Sequence, residues 1–201
     1  MSKCHEKTAP LRTFEESLTL RIGRPTTLRP FVCDGSPLTC EVFIVGVNPA
    51  SEMDEDFWSF WRPGVGFDKS RWFEAYVAAR ARKPLRPGKT RRNRLSTTRR
   101  IMEQISEEAS PVRILETNIY SVSSPDARSL AESDKSASTF DWLLSEIQPR
   151  LIVAHGRDAE AHLKARQAYP GTDMWFVPHF SRGWSQERAR ELGRDVKAAC
   201  G

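Results

Sequence analysis

The sequence predicts an α/β domain, a three-layer α/β/α sandwich on a central, mostly parallel four-stranded sheet. Three observations predict it. Four short runs, 42–47, 112–117, 151–154 and 174–177, are rich in β-branched and aromatic residues. Most lack polar alternation, the pattern of strands covered on both faces. Segments with apolar residues at helical spacing stand between them, and strand alternating with helix gives a parallel sheet flanked by helices. Each run also stops at a turn-forming or polar group: Asn48-Pro49, Thr117-Asn118, His155-Gly156 and Pro178-His179.

At 201 residues the chain is expected to be one domain, 1–201, with no internal repeat or low-complexity tract. Residues 1–40 supply an N-terminal helix and a wrapping loop. A frayed tail over 1–10 leads to a helix near 13–18, with Thr13 as N-cap and Glu16 three residues on. Pro25, Pro30, Gly35 and Pro37 punctuate the loop that follows. In the first strand, Gly46 permits close backbone approach and Pro49 denies continuation. The loop 48–69 carries Phe57, Trp58, Phe60, Trp61 and Phe67, which line a pocket or fold onto the core. Ser70 is the expected cap of a helix burying Trp72, Phe73, Tyr76 and Val77, broken by Pro84 and Pro87-Gly88. A helix from Ser96 buries Ile101, Met102, Ile105 and Ala109 before the second strand. Residues 121–135 are Ser-rich and irregular. Helices follow at 140–147, stopped by Pro149, at 158–167 and at 185–199, the last capped by Ser185.

Composition narrows the function classes. Hydrophobic residues make up 39% and charged residues 28% of the chain, which suits a soluble protein. No run approaches the ~20 apolar residues of a membrane-spanning helix, so no membrane partner is expected. No apolar stretch follows Met1 to Lys7, so a secretory leader is not expected and the expected compartment is cytoplasmic. Cys4, Cys33, Cys40 and Cys200 form no CxxC pair. Their spacing fits neither zinc nor an iron–sulfur cluster, so reduced thiols and no metal or cofactor are expected. The net charge of +5 is concentrated, because ten of the 31 Lys and Arg residues lie within 80–100, a stretch without Asp or Glu. Such a basic loop is the footprint of a polyanion, with Arg91, Arg92 and Arg94 as candidate contacts; a merely solvated loop is its other use.

In a parallel sheet the strand ends share one edge, where open α/β sheets bind ligands, so Asn48, Asn118, His155-Gly156 and His179 are expected to converge. No serine or cysteine elbow and no glycine-rich phosphate loop is present. Amides, imidazoles and aromatic rings remain. That set suits a planar, hydrogen-bonding heterocycle, with a basic loop to hold a phosphate backbone. Plain turns at Asn48 and Asn118, a structural His179 and a packing role for His155 are the alternatives.

Gly46-Val47-Asn48-Pro49-Ala50 resembles the first motif of the uracil-DNA glycosylase superfamily, closest to the Gly-x-Asn-Pro-Gly of its mismatch-specific uracil/thymine and single-strand-selective monofunctional branches. Pro178-His179-Phe180-Ser181-Arg182 is similar to the second motif, usually His-Pro-Ser. Thr117-Asn118 resembles the place of a base-reading asparagine. Phe60-Trp61-Arg62-Pro63 with Ser70-Arg71-Trp72-Phe73 is similar to a mismatch-glycosylase stretch, and His155-Gly156-Arg157-Asp158-Ala159 to a further superfamily element. The likeness runs in order over roughly 41–185. Ala50 departs from the usual glycine and Phe180 from the usual proline, and the basic segment has no counterpart.

The resemblance implies monofunctional hydrolysis of the N-glycosidic bond of uracil or a related deaminated base in DNA, by base flipping, as in base excision repair. Asn48 would position the attacking water and His179 would donate to the leaving base. Gly46, Phe60, Asn118 and Ser181 would bind the substrate, Phe60 by stacking and Asn118 by reading the base edge. Arg182 and Trp184 would fill the gap left by the flipped base. Single- or double-stranded DNA is the implied partner, and a monomer without cofactor is expected. A non-catalytic nucleic-acid-binding protein on this fold is the alternative. A nucleoside hydrolase is a third option, against which the basic loop speaks.

Overall fold

The chain begins α1 (Ala9–Ile22), β1 (Phe31–Val32), β2 (Val42–Gly46), β3 (Trp61–Arg62), β4 (Gly66–Phe67), α2 (Lys69–Arg82) and α3 (Thr97–Ala109). It continues with β5 (Ile114–Asn118), α4 (Ser138–Ile147), β6 (Leu151–His155), α5 (Arg157–Lys164), β7 (Asp173–Val177) and α6 (Gln186–Cys200). This computed structural model describes residues 9–50, 53–85, 87–88, 90–125, 127–166 and 171–201. Cys4 and most of the expected tail therefore lie outside the described residues, as do Ser51, Arg86, Lys89 and Gln167.

The central sheet runs β1-β5-β2-β6-β7. The four expected strands are all present and parallel, β2 pairing with both β5 and β6, and β7 with β6. The sheet nevertheless has five strands rather than four. The addition is β1, antiparallel to β5 with Phe31 opposite Thr117. Two residues are too few to show a strand period, and the pairing comes from a distant segment. The Thr117 hydroxyl donates to the Pro30 carbonyl at 2.7 Å.

Helices cover both faces. On one, Leu11, Phe14, Leu18 and Ile22 of α1 form a buried stripe that joins α4, α5 and the aromatic loop. That stripe starts the helix at Ala9 and leaves Thr13 inside it rather than at its cap. The loop aromatics fold onto this core through a 3₁₀ turn (Phe57–Phe60) and the β3–β4 hairpin. On the other face, α3 and α6 pack together over Val42, Ile44 and Val153. A β-carbon on Gly193 would lie 2.6 Å from Glu108 Cβ, so glycine sets how closely these two helices approach. Ser96 and Ser185 cap α3 and α6 as expected. The cap of α2 is Asp68, not Ser70, because its carboxylate accepts from the Arg71 N–H at 3.0 Å. Among the described residues no helix is long and apolar enough to cross a membrane.

A charge cluster joins these layers. Glu116 of β5 is buried, with Lys69 Nζ at 2.9 Å and the Arg99 guanidinium on its other oxygen. Glu103 lies 3.4 Å from Lys69 and 3.3 Å from Arg99, whose guanidinium covers the Trp72 ring at 5.0 Å. Burial alone would push the Glu116 carboxyl up, but Arg99 and Lys69 outweigh it and hold it below 4.5. A depressed carboxyl contributes stability above its unfolded value, which is lost as pH falls through the folded value. We expect Glu116→Ala to cost about 3 kcal/mol in urea unfolding at pH 7, since the buried Arg99 and the half-buried Lys69 keep only Glu103 as a partner. A loss under about 1 kcal/mol would show that the cluster does not hold the layers together.

Candidate functional site

The C-terminal ends of the parallel strands bring together Gly46, Asn118 and His155. Gly46 pairs with Asn118 in register, and His155 pairs with Val177. A β-carbon on Gly46 would lie 2.6 Å from Asn118 Oδ1 and 3.0 Å from His155 Nε2, so only glycine leaves room for both. His179 approaches from the loop after β7, its ring centroid 4.9 Å from that of His155. Its Cδ2 lies 3.1 Å from where a β-carbon on Gly156 would be, and Gly156 has φ +95, open to glycine at little cost.

Each polar group has a defined state. Ser181 donates its backbone N–H to His179 Nδ1 at 3.2 Å, and its hydroxyl lies 2.7 Å from the same nitrogen. Nδ1 is therefore the acceptor, and the neutral ring carries its proton on Nε2 as a donor. Burial first, then Arg182, lowers the His179 pKa below its ordinary 6.5, while Asp158 pulls the other way. Asn48 donates its amide N–H to the Ser124 carbonyl at 2.9 Å, and its Oδ1 makes no hydrogen bond among the described residues. The same segment is laced to β2 by Ser124 N–H to Pro49 O at 3.0 Å. The Asn118 amide is half-buried and makes no hydrogen bond among the described residues.

His155 is 5% exposed and lies flat on Phe180, with centroids 4.3 Å apart. Burial, with a smaller contribution from His179, pushes its pKa down to about 3. Its convergence with Asn118 on one sheet edge was expected from the sequence, and a packing role was the alternative reading. The register that sets the two on one face was not legible, because register is a tertiary fact.

Other candidates are placed differently. Phe60 is 2% exposed and packs on Phe67, so its ring offers almost no open face for a base. Trp184 is braced, with Nε1 donating to Pro178 O at 3.0 Å, its ring against Phe180 and Arg188 over it at 4.5 Å. Arg182 is exposed beside it. In the basic loop, Arg92 donates to the Lys83 carbonyl at 3.2 Å and to that of Pro84. Arg80 holds Asn93 O at 3.0 Å, Arg94 sits over Phe73 at 5.9 Å, and Arg99 is buried against Glu116. Arg91 is exposed. Of the three basic candidates, then, Arg92 and Arg94 also brace the protein itself.

A cavity of about 230 Å³ opens at the same strand ends from the α4–α5 side, lined by Val47, Ile119, Tyr120, Lys135, Asp158 and His162 among others. Cys33, Cys40 and Cys200 are buried free thiols. No protein-family model matches the chain, and a search of curated proteins finds no significant match.

The depressed His155 pKa has a pH signature. The unfolded chain binds a proton near pH 6.5 that the folded chain refuses until about 3, so this ring makes stability fall as pH drops through that window. In histidine NMR, His155 is expected to stay neutral down to pH 4. A ring that titrates near 6 would contradict its burial on Phe180.

Proposed function

We propose that this protein is a DNA glycosylase that hydrolyses the N-glycosidic bond of uracil or a related deaminated base, the activity its motif resemblance implies. The observation that carries the proposal is the paired state of Asn48 and His179. Each has one polar atom tied to backbone, which leaves an acceptor on the loop after β2 and a donor on the loop after β7, two loops that leave the same edge of the parallel sheet. Asn48 Oδ1 accepts from a water and aims its lone pair at the sugar C1′. As that water oxygen bonds to C1′, the C1′–N bond breaks and its electron pair leaves with the base. His179 Nε2–H meets the charge growing on a base oxygen. A neutral imidazole suits this role because it donates while its ring stays uncharged, and its lowered pKa keeps it so at neutral pH. The protonated hydroxyl left on C1′ releases a proton to solvent, and the departing base takes one from solvent, so the net reaction is hydrolysis.

DNA is the proposed partner, held by the exposed Arg91 and Arg182 more than by Arg92 and Arg94, whose guanidiniums brace the protein. Phe60 is covered, so the proposed site does not use it as a stacking platform.

The test is a panel of single-stranded, U:G and U:A oligonucleotides, with base release read as alkali-labile sites. Asn48→Ala and His179→Ala are each expected to lower single-turnover rates by about 10²-fold or more, the scale of one lost charge-stabilising donor. Unchanged rates in both would remove these roles. Salt-dependent binding without release from any substrate would instead favour a non-catalytic nucleic-acid-binding protein. Arg91→Gln is expected to reduce the slope of log affinity against log salt by about 1. An unchanged slope would take Arg91 out of the interface.

A further inference from the structure

The loop that follows Asn48 and the segment that carries the basic residues meet at one charge contact. Arg82, the last residue of α2, reaches Asp54 Oδ2 at 3.3 Å and Glu55 Oε1 at 3.8 Å. The positions on either side of this acidic pair are held by other groups. Arg29 donates to the Met53 carbonyl at 3.0 Å, and the Asp56 carboxylate accepts from the Trp58 N–H at 2.8 Å and from the Thr26 N–H. The loop thus has its path without Arg82. The Asp54 and Arg82 side chains are 89% and 57% exposed, and a pair in that setting shifts an equilibrium by no more than about fivefold. Glu55 also makes a poor brace. Its Oε2 is buried with no hydrogen-bond partner among the described residues, a cost that a purely structural carboxylate avoids.

From these contacts we infer that Arg82 is a phosphate-binding residue of the DNA interface, and that Asp54 and Glu55 occupy it in the free protein as stand-ins for phosphate. The inference rests on the reading above only in taking DNA as the partner. Carboxylate and phosphate offer a guanidinium the same kind of anionic oxygen, and its fork of N–H donors accepts either. So weak a pair gives way to a backbone phosphate, whose neutralisation releases a condensed counterion. Once released, the two carboxylates repel any strand that lies over 53–56. They thereby hold down affinity and favour a path along 80–100. The exchange takes place six residues beyond Asn48, at the junction of the proposed reaction loop with the basic segment.

The experiment is a double-mutant cycle on the full chain, read as binding of a labelled, undamaged duplex by fluorescence anisotropy. At about 0.15 M salt, charges more than ~8 Å apart are largely screened. There, Asp54→Asn with Glu55→Gln is expected to tighten binding about threefold or more over wild type, and to steepen the slope of log affinity against log salt by up to about 1. In an Arg82→Gln background the same two substitutions are expected to change affinity by less than about 1.5-fold. An equal gain in both backgrounds would mean general charge repulsion, and no gain in either would mean a contact that DNA leaves intact; each overturns the inference. Urea unfolding checks that the variants are folded. Should the double variant be destabilised, Asp54→Asn alone, at the more exposed carboxylate, carries the cycle with an expected gain of about twofold. Base release plays no part in the readout. A wild type that binds but releases no base therefore removes the glycosylase reading and leaves this one to the cycle. A wild type that binds neither single- nor double-stranded DNA removes DNA as the partner and overturns this inference with it.

Discussion

Parallel pairing of β2 with β5 and β6 sets Gly46 opposite Asn118 and Val45 opposite Ala154, and the candidate site follows from that register. Side chains alternate along a strand, so Gly46, Asn118 and His155 share the α3–α6 face while Val47 and Ile119 serve the other. A slip of one residue would bury Asn118 on the wrong face and bring Ile119 beside Gly46. Buried residues on both faces prevent that slip. Val42, Ile44 and Val153 pack under α3 and α6, and Phe43, Val45 and Ile152 pack on the opposite side. Among the parallel strands the chain starts at the centre with β2, moves out to β5 and then crosses to β6. That reversal leaves a crevice outside the strand ends, where open sheets of this kind hold ligands.

The charge cluster around Glu116 steadies the same edge from below. Glu116 is two residues before Asn118 on β5, and it draws in Lys69 at the start of α2 and Arg99 in the first turn of α3. The two helices that bracket the basic segment are thereby pinned to the strand that carries Asn118. Part of that segment's charge is spent on this scaffold. Arg99 neutralises Glu116, Arg82 reaches Asp54 and Glu55, and Arg80 and Arg92 hold loop carbonyls. A cation that donates to a backbone carbonyl keeps its charge, so the field over the loop persists even where the side chain is not free to move.

The parallel core was legible because its strands are continuous apolar runs with turn residues at their ends, and those signals are local. Asp68 as the cap of α2 and Ala9 as the start of α1 were missed because Ser70 and Thr13 carry similar local signals. Packing and hydrogen-bond geometry decided between them. The strand β1 was invisible because two residues between Pro30 and Cys33 have no period to read. Among site residues, Asn48, Asn118 and His179 stood out as polar groups ending apolar runs. Ser124, which orients Asn48 from 76 residues away, gave no signal, since any residue can offer a carbonyl. Phe60 misled because an aromatic residue after a motif looks the same in sequence whether it faces a crevice or a core.

Phe180, where the resembling motif has proline, illustrates how packing can stand in for covalent rigidity. Proline would fix the backbone after His179 through its ring. Here the loop is fixed by burying an entire phenyl group, worth about 2–3 kcal/mol, between His155 and Trp184. Trp184 then returns a hydrogen bond to Pro178, and Ser181 holds Nδ1 of His179 from the other side. The donor on His179 is thus held by a packing anchor and two hydrogen bonds instead of one locked dihedral. The substitution has a second consequence that proline could not supply. Its ring gives His155 a flat, dry support, and that dryness keeps this second imidazole neutral at the strand ends.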